Sequence, residues 1–200
     1  MLSIITPAPT IDLTTLEAAK AELRISGSAQ DAALLVLIRQ ASDAIADFCG
    51  QPFGRETVEQ TEGDMHGRSA LVLERTLAPA IESVTAGGTA LDAAAWALDG
   101  AVLRFGGWCG FGHGGGYWGS VVVRYSAGFE LIAGLPYAVE RACLVTVAAW
   151  YGARGRDPML RGETVEGVGS FSYTTPAAGA GSVLPGDAEK LVRSYRRVVL

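Results

Sequence analysis

The sequence predicts an α+β fold, with a helical bundle core over 1–54 and 130–155, an inserted small antiparallel β-subdomain and a C-terminal docking helix. Apolar residues recur at three- and four-residue spacing in the two core segments, which is typical of helices. Between 55 and 129 the period falls to two and the segments become short and β-branched, which is typical of strands. Residues 156–200 are expected to form an extended arm and a terminal helix.

Two helices are predicted in the first core segment. The Thr14-x-x-Glu17 spacing of a capping box precedes the first helix, which we expect over about residues 15–23. The second is expected over about residues 29–48, because leucine and isoleucine side chains repeat there along one face. Gly50 and Pro52 end it, since neither residue type continues a helix well.

The β-subdomain is predicted from segments such as "ALVLER" and "SVVVRYS", which are β-branched or alternating. The dipeptides Gly87-Gly88 and Asp99-Gly100 predict hairpin turns between such segments. Together they indicate a small antiparallel sheet inserted between helices.

Helix returns at Pro136, a residue that suits the first helical turn, and continues to the "GARGR" break. The segment "VGSFSYTT" predicts a last short strand, and "PAAGAGS" predicts a flexible linker. A terminal helix is expected over 184–198, with Leu191 and Tyr195 four residues apart on one side.

The composition describes a folded protein, with 49% hydrophobic and 18% charged residues. So few charges indicate a surface that is largely covered by partners. The formal net charge of −5 argues against a free-standing nucleic-acid binder. The first residues lack the basic stretch of a signal peptide and no apolar run spans a bilayer, so we expect a protein of the cytoplasm or of a particle assembled there.

The last residues are basic while the rest of the chain is acidic. From residue 184 onward, the sequence contains four basic and two acidic side chains. This asymmetry indicates a tail that docks onto an acidic neighbour. Alternatively, the basic side chains only complement the negative end of a helix dipole.

The segment "GGWCGFGHGGGYWGS", residues 106–120, is rich in glycine, as phosphate-binding loops are. It contains no lysine or arginine, which a P-loop requires. Gly110, Gly112 and Gly115 match a dinucleotide fingerprint, but a strand follows them where that motif needs a helix. We therefore expect no cofactor here.

A metal or catalytic site in this segment would depend on Cys109 and His113. A structural zinc ion needs four ligands, and further cysteine ligands would have to come from Cys49 or Cys143, each on a predicted apolar helix face. The chain also lacks the G-x-S-x-G motif of a hydrolase nucleophile. The three cysteines fit reduced thiols, and we expect no metal and no catalytic residue.

With no phosphate, metal or catalytic site expected, the remaining property of this loop is the large contact area that its side chains offer. Glycines let backbones come close, and interleaved aromatic side chains are over-represented at interface hot spots. We expect an inter-subunit or inter-ring contact through Trp108, Phe111, Tyr117 and Trp118. The alternative is a hairpin loop that folds back onto its own sheet.

The N-terminal segment "IDLTTLEAAKAELRISGSAQDAALLVLIRQASDAIADFCGQPF" resembles the signature of the head–tail connector proteins of tailed phages, also called adaptor or head-completion proteins. The matching positions are Leu16, Ala19, Lys20, Leu23, Arg24, Ile25, Asp31, Phe48, Gly50, Pro52 and Phe53. The segment "LPYAVERACLVTVAAWYGAR" resembles a later helix of the family. The inserted sheet resembles a longer subgroup that occurs in phages and in phage-derived gene transfer agents.

The resemblance implies a virion structural protein that is not an enzyme. It implies a ring, commonly a dodecamer, beneath the portal protein, with a stopper or tail-terminator protein below and DNA passing through without sequence-specific binding. The particle would be assembled in the bacterial cytoplasm, with this protein at its head–tail junction and no membrane involved. Portal docking is expected through Leu191, Arg193, Tyr195, Arg196, Arg197 and Leu200.

Two other functions remain open from the residues alone. One is a small metal-binding or hydrolytic enzyme that uses the Cys109/His113 loop. The other is a soluble binding module of a host cell. Neighbouring portal and capsid genes would separate the connector from both.

Overall fold

The computed structural model divides the chain into two compact units, which we call the β unit (Met1–Thr10 and Phe53–Leu131) and the helical unit (Ile11–Pro52 and Ile132–Leu200). The residues it describes are 1–65, 68–105, 119–154, 162–165, 169–172 and 183–197. Within these ranges, none of the helices combines the length and the apolarity needed to cross a membrane.

The larger sheet of the β unit has five antiparallel strands. Their spatial order is β1 (Leu2–Thr6), β2 (Glu56–Glu62), β8 (Val121–Ala127), β4 (Ala80–Ala86) and β5 (Thr89–Ala90). The first strand pairs Leu2 with Gln60 and so lies at one edge. The predicted turn at Gly87-Gly88 is confirmed, because both residues have positive φ between β4 and β5.

The second sheet of the β unit has three antiparallel strands, and the predicted turn at Asp99-Gly100 is confirmed within it. Gly100 has a φ of +60° and joins the last two strands in sequence. The spatial order is β3 (Ala70–Val72), β7 (Val102–Phe105) and β6 (Trp96–Asp99), and a 3₁₀ turn, Ala93–Ala95, precedes β6.

One face of these strands forms an apolar core, because successive side chains of a strand point to opposite faces. In β8, for example, Val121, Val123 and Tyr125 are buried while Arg124 is exposed. The core cluster comprises Val58, Met65, Leu71, Leu73, Val84, Ala86, Leu103, Phe105, Val121, Val123, Tyr125 and Ala127.

Two glycines touch where the chain enters and leaves the β unit. The Phe129 amide donates to the Phe53 carbonyl at 2.8 Å, and the Arg55 amide donates to the Phe129 carbonyl at 2.9 Å. Gly128, at φ +100°, lies so close to Gly54 that a Cβ atom on it would be 2.7 Å from the Gly54 carbonyl carbon. Only glycine fits this close approach.

The helical unit contains α1 (Leu16–Leu23), α2 (Asp31–Cys49), α3 (Tyr137–Gly152) and α4 (Gly186–Val192), followed by a 3₁₀ turn, Arg193–Tyr195. Strands β9 (Gly162–Val165) and β10 (Gly169–Ser172) pair antiparallel. The first three helices are confirmed to within about two residues, which is the usual spread of helix boundaries. The N-cap of α1 is Thr15 rather than Thr14, since the Thr15 hydroxyl accepts from the Ala18 amide at 3.1 Å.

The predicted fold class is wrong. A helical bundle with a small inserted sheet was expected, but strands dominate: eight of them form the two sheets of the β unit, against four α-helices in the described chain. The run "LSIIT" at the N-terminus, rich in β-branched residues, adds β1 to the edge of the larger sheet. The predicted C-terminal helix is also shorter than expected and packs within the helical unit.

Candidate assembly surfaces

The C-terminal segment, 183–197, contains five of the six residues predicted to dock onto a portal. Arg193 and Arg196 are exposed, whereas Leu191, Tyr195 and Arg197 are partly buried. The sixth residue, Leu200, lies outside the described residues. The segment thus presents two arginine side chains to solvent.

The opposite side of α4 is buried within the helical unit. Leu184, Ala188 and Val192 follow one another at four-residue spacing and are 2%, 0% and 0% exposed. The packing is mainly against α3. An isolated helix of seven residues is not stable in water, so this burial is what maintains α4.

Polar contacts fasten the segment that follows α4, residues 193–197, which we call the C-terminal strap. The Gln51 side-chain amide donates to the Tyr195 carbonyl at 2.8 Å. The Arg197 amide donates to the Cys49 carbonyl at 2.8 Å and so satisfies a carbonyl at the end of α2. The Arg196 guanidinium lies over the Phe48 ring, 5.6 Å from its centroid.

The strap arginines are unneutralised within the described chain. None of Arg193, Arg196 and Arg197 lies within ion-pair distance of a described carboxylate, whereas Lys190 pairs with Asp187 at 3.0 Å. Unpaired surface arginines attract a partner that carries carboxylates or phosphates. The strap is therefore a candidate surface for an acidic neighbour.

The other predicted contact surface is the aromatic loop, residues 106–120. Trp108, Phe111, Tyr117 and Trp118 lie outside the described residues, as do Cys109 and His113. The loop connects β7, which ends at Phe105, with β8, which begins at Val121. Neither the contact prediction nor the alternative metal or hydrolase site is tested.

The two described cysteines are buried thiols in the helical unit. Burial raises the pKa of the Cys49 thiol to about 11, although the nearby Arg196 acts in the opposite direction. Burial also raises the pKa of the Cys143 thiol to about 12, against a lowering by the Ser42 hydroxyl. A thiol with so high a pKa is a poor nucleophile at neutral pH. In the described ranges no three metal-binding side chains cluster.

Sequence reasoning missed the exposed apolar edge at β1. Ile4 and Ile5 are 53% and 44% exposed, although Ile4 lies opposite the buried Val58 in the sheet register. The sequence feature that could have predicted this edge strand is the β-branched run in "LSIIT". Gln51 was also missed, because nothing near it in sequence indicates a contact with residue 195.

Comparisons with known proteins come from a family model and from solved structures. A family model described as "Head completion protein" matches residues 12–198. No curated protein matches the chain. A structure described as the neck of an empty gene transfer agent (GTA) particle, computed with C6 symmetry, matches with a TM-score of 0.60 at 20% identity, covering 100% of this chain and 97% of that one. A chain of the virion of a native GTA particle matches with a TM-score of 0.59 at 19% identity and the same coverage. At these identities the structural likeness shows the fold.

Proposed function

Because the chain belongs to the head completion protein family, we propose that it is a structural adaptor subunit of the head–tail connector of a tailed phage or gene transfer agent. It forms a ring under the portal, through which DNA passes. The family match over nearly the whole chain carries this proposal. The role is structural, and no catalytic step is proposed. The net charge of −5 supports it, since an acidic wall repels phosphate and lets DNA slide.

The interfaces of such a ring are heterologous: each copy binds the next through two different surfaces, and both surfaces of every copy are covered once the ring closes. The test is native mass spectrometry of the purified protein and of the particle neck. A closed oligomer, commonly of twelve copies in this family, is the expected result. A monomer at every concentration, in the presence of the portal as well, would contradict the proposal.

We propose that α4, the C-terminal strap and Leu200 form a portal-docking surface, through Leu191, Arg193, Tyr195, Arg196, Arg197 and Leu200. Arg193 and Arg196 support this assignment, because both are exposed and neither lies within ion-pair distance of a described carboxylate. The matched variants are Arg193→Glu with Arg196→Glu, and Arg24→Glu with Arg154→Glu as a control, since Arg24 and Arg154 are also exposed arginines of the helical unit. The affinity for the portal should fall at least about tenfold in the first variant and stay unchanged in the control. In the native protein the affinity should decrease as the salt concentration rises.

The loop residues Trp108, Phe111, Tyr117 and Trp118 are proposed as an inter-subunit or inter-ring contact. Truncation of Trp108 or Trp118 to alanine should weaken ring stacking by about 2 kcal/mol or more without lowering the melting temperature of the subunit. A lower melting temperature of the isolated subunit, with stacking unchanged, would instead assign these side chains to the subunit's own sheet.

A further inference from the structure

The basic docking surface is already assembled in the single subunit. The seven-residue α4 is held by its own buried Ala188 and Val192 and by the buried Leu184, which precedes it, and the strap continues directly from it. Arg193 and Arg196 are therefore presented from a fixed backbone rather than from a free tail.

The hydrogen bonds that hold this backbone in place are made with residues at the end of α2. Gln51 is only 4% exposed, and its amide nitrogen is 2.8 Å from the Tyr195 carbonyl oxygen, between the two exposed arginines in sequence. The Arg197 amide, two residues further on, donates to Cys49, and the Cys49 thiol lies 3.7 Å from the Val192 carbonyl. A buried donor whose partner is lost is costly, so Gln51 opposes release of the strap.

We infer that Gln51 is a positioning residue for portal docking: it holds the strap against the end of α2, so that the partner binds a preorganised surface. This inference rests on the proposed portal docking. Binding then carries little ordering cost, because the backbone is already fixed. The apparent dissociation constant equals the intrinsic one divided by the fraction of subunits whose strap is docked.

The first test is hydrogen exchange in the free subunit. Gln51→Met keeps the length and removes the donor, and Gln40→Met makes the same change at an exposed position of α2. Exchange of the Arg197 amide should become at least about tenfold faster in Gln51→Met and stay unchanged in Gln40→Met. Equal exchange in the two variants would overturn the assignment of Gln51.

A second variant removes the fastening from the strap itself. Arg197→Pro deletes the amide that donates to Cys49, and the preceding Arg196, at φ −68° and ψ 128°, already has the extended backbone that a following proline requires. Exchange of the Glu189 amide, which donates to Pro185 at 3.0 Å, then reports the docked state of α4.

The deciding measurement is portal binding across variants with progressively less docked strap, obtained by combining Gln51→Met with Val192→Ala. The dissociation constant should rise in proportion to the inverse of the docked fraction that exchange reports. A constant that stays level while the docked fraction falls below about one tenth would show binding from the released strap and overturn the inference. If the native subunit itself does not bind portals, the proposed docking fails, and that outcome is distinct from the other.

Discussion

Replacing Gly128 with alanine tests the glycine contact that closes the β unit. The new Cβ atom would lie 2.7 Å from the Gly54 carbonyl carbon and 2.9 Å from the Arg55 nitrogen, and closer still to the Gly54 oxygen. These are backbone atoms, so no side chain can rotate away. The φ of +100° adds conformational strain of about 1–3 kcal/mol, and overpacking costs about 1–3 kcal/mol more.

Gly128→Ala should therefore lower the free energy of unfolding by about 3 kcal/mol or more, which for a chain of this length is a fall in melting temperature of about 6–12 °C. The assay is calorimetry beside Gly100→Ala, because Gly100 also has positive φ but its added Cβ would meet nothing within 4 Å. The control should lose only about 1–2 kcal/mol. Equal losses in both variants would refute the steric argument.

Three further predictions concern buried polar groups. Tyr125→Phe should lower the free energy of unfolding by about 1–3 kcal/mol in denaturant titrations, because the Tyr125 hydroxyl donates to Gln60 and accepts from the Arg75 amide, both at 3.1 Å. The control Tyr137→Phe, at an 88% exposed position, should cause no measurable loss. Ser42→Ala should cost a similar amount by leaving the Leu13 amide without its acceptor at 2.9 Å, with Ser28→Ala as the exposed control, and an unchanged denaturation midpoint would contradict it. The pKa of Cys143 is raised to about 12 from an ordinary 9.0, so the thiol of the unfolded chain ionises first and stability is lost as pH rises above 9.0. Cys143→Ala should remove this part of the pH dependence of stability, and identical pH profiles of the variant and the native protein would exclude the effect.

The helices could be predicted because their determinants are local. An apolar face at three- and four-residue spacing and a glycine stop define α2 within a single segment, and its C-cap Gly50 has the expected left-handed conformation. The hairpin turns were predictable for the same reason, since two residues fix them. The family resemblance also rested mainly on these helical segments, and the family match confirms it.

The balance between sheet and helix was mispredicted because strands are completed by distant partners. Leu2 pairs with Gln60, so the membership of β1 in the larger sheet depends on a segment that its own sequence does not specify. The β-branched run in "LSIIT" permits a strand but does not say which edge accepts it.

The proposed docking surface shows the same division. The sequence by itself determined the basic residues of the C-terminal segment and their helical spacing. Only the tertiary structure decided that Leu184, Ala188 and Val192 are buried in the helical unit, and that Gln51 reaches Tyr195 across 144 residues of chain. A short helix has no stability of its own, so its place depends on the surface that the rest of the unit offers for burial.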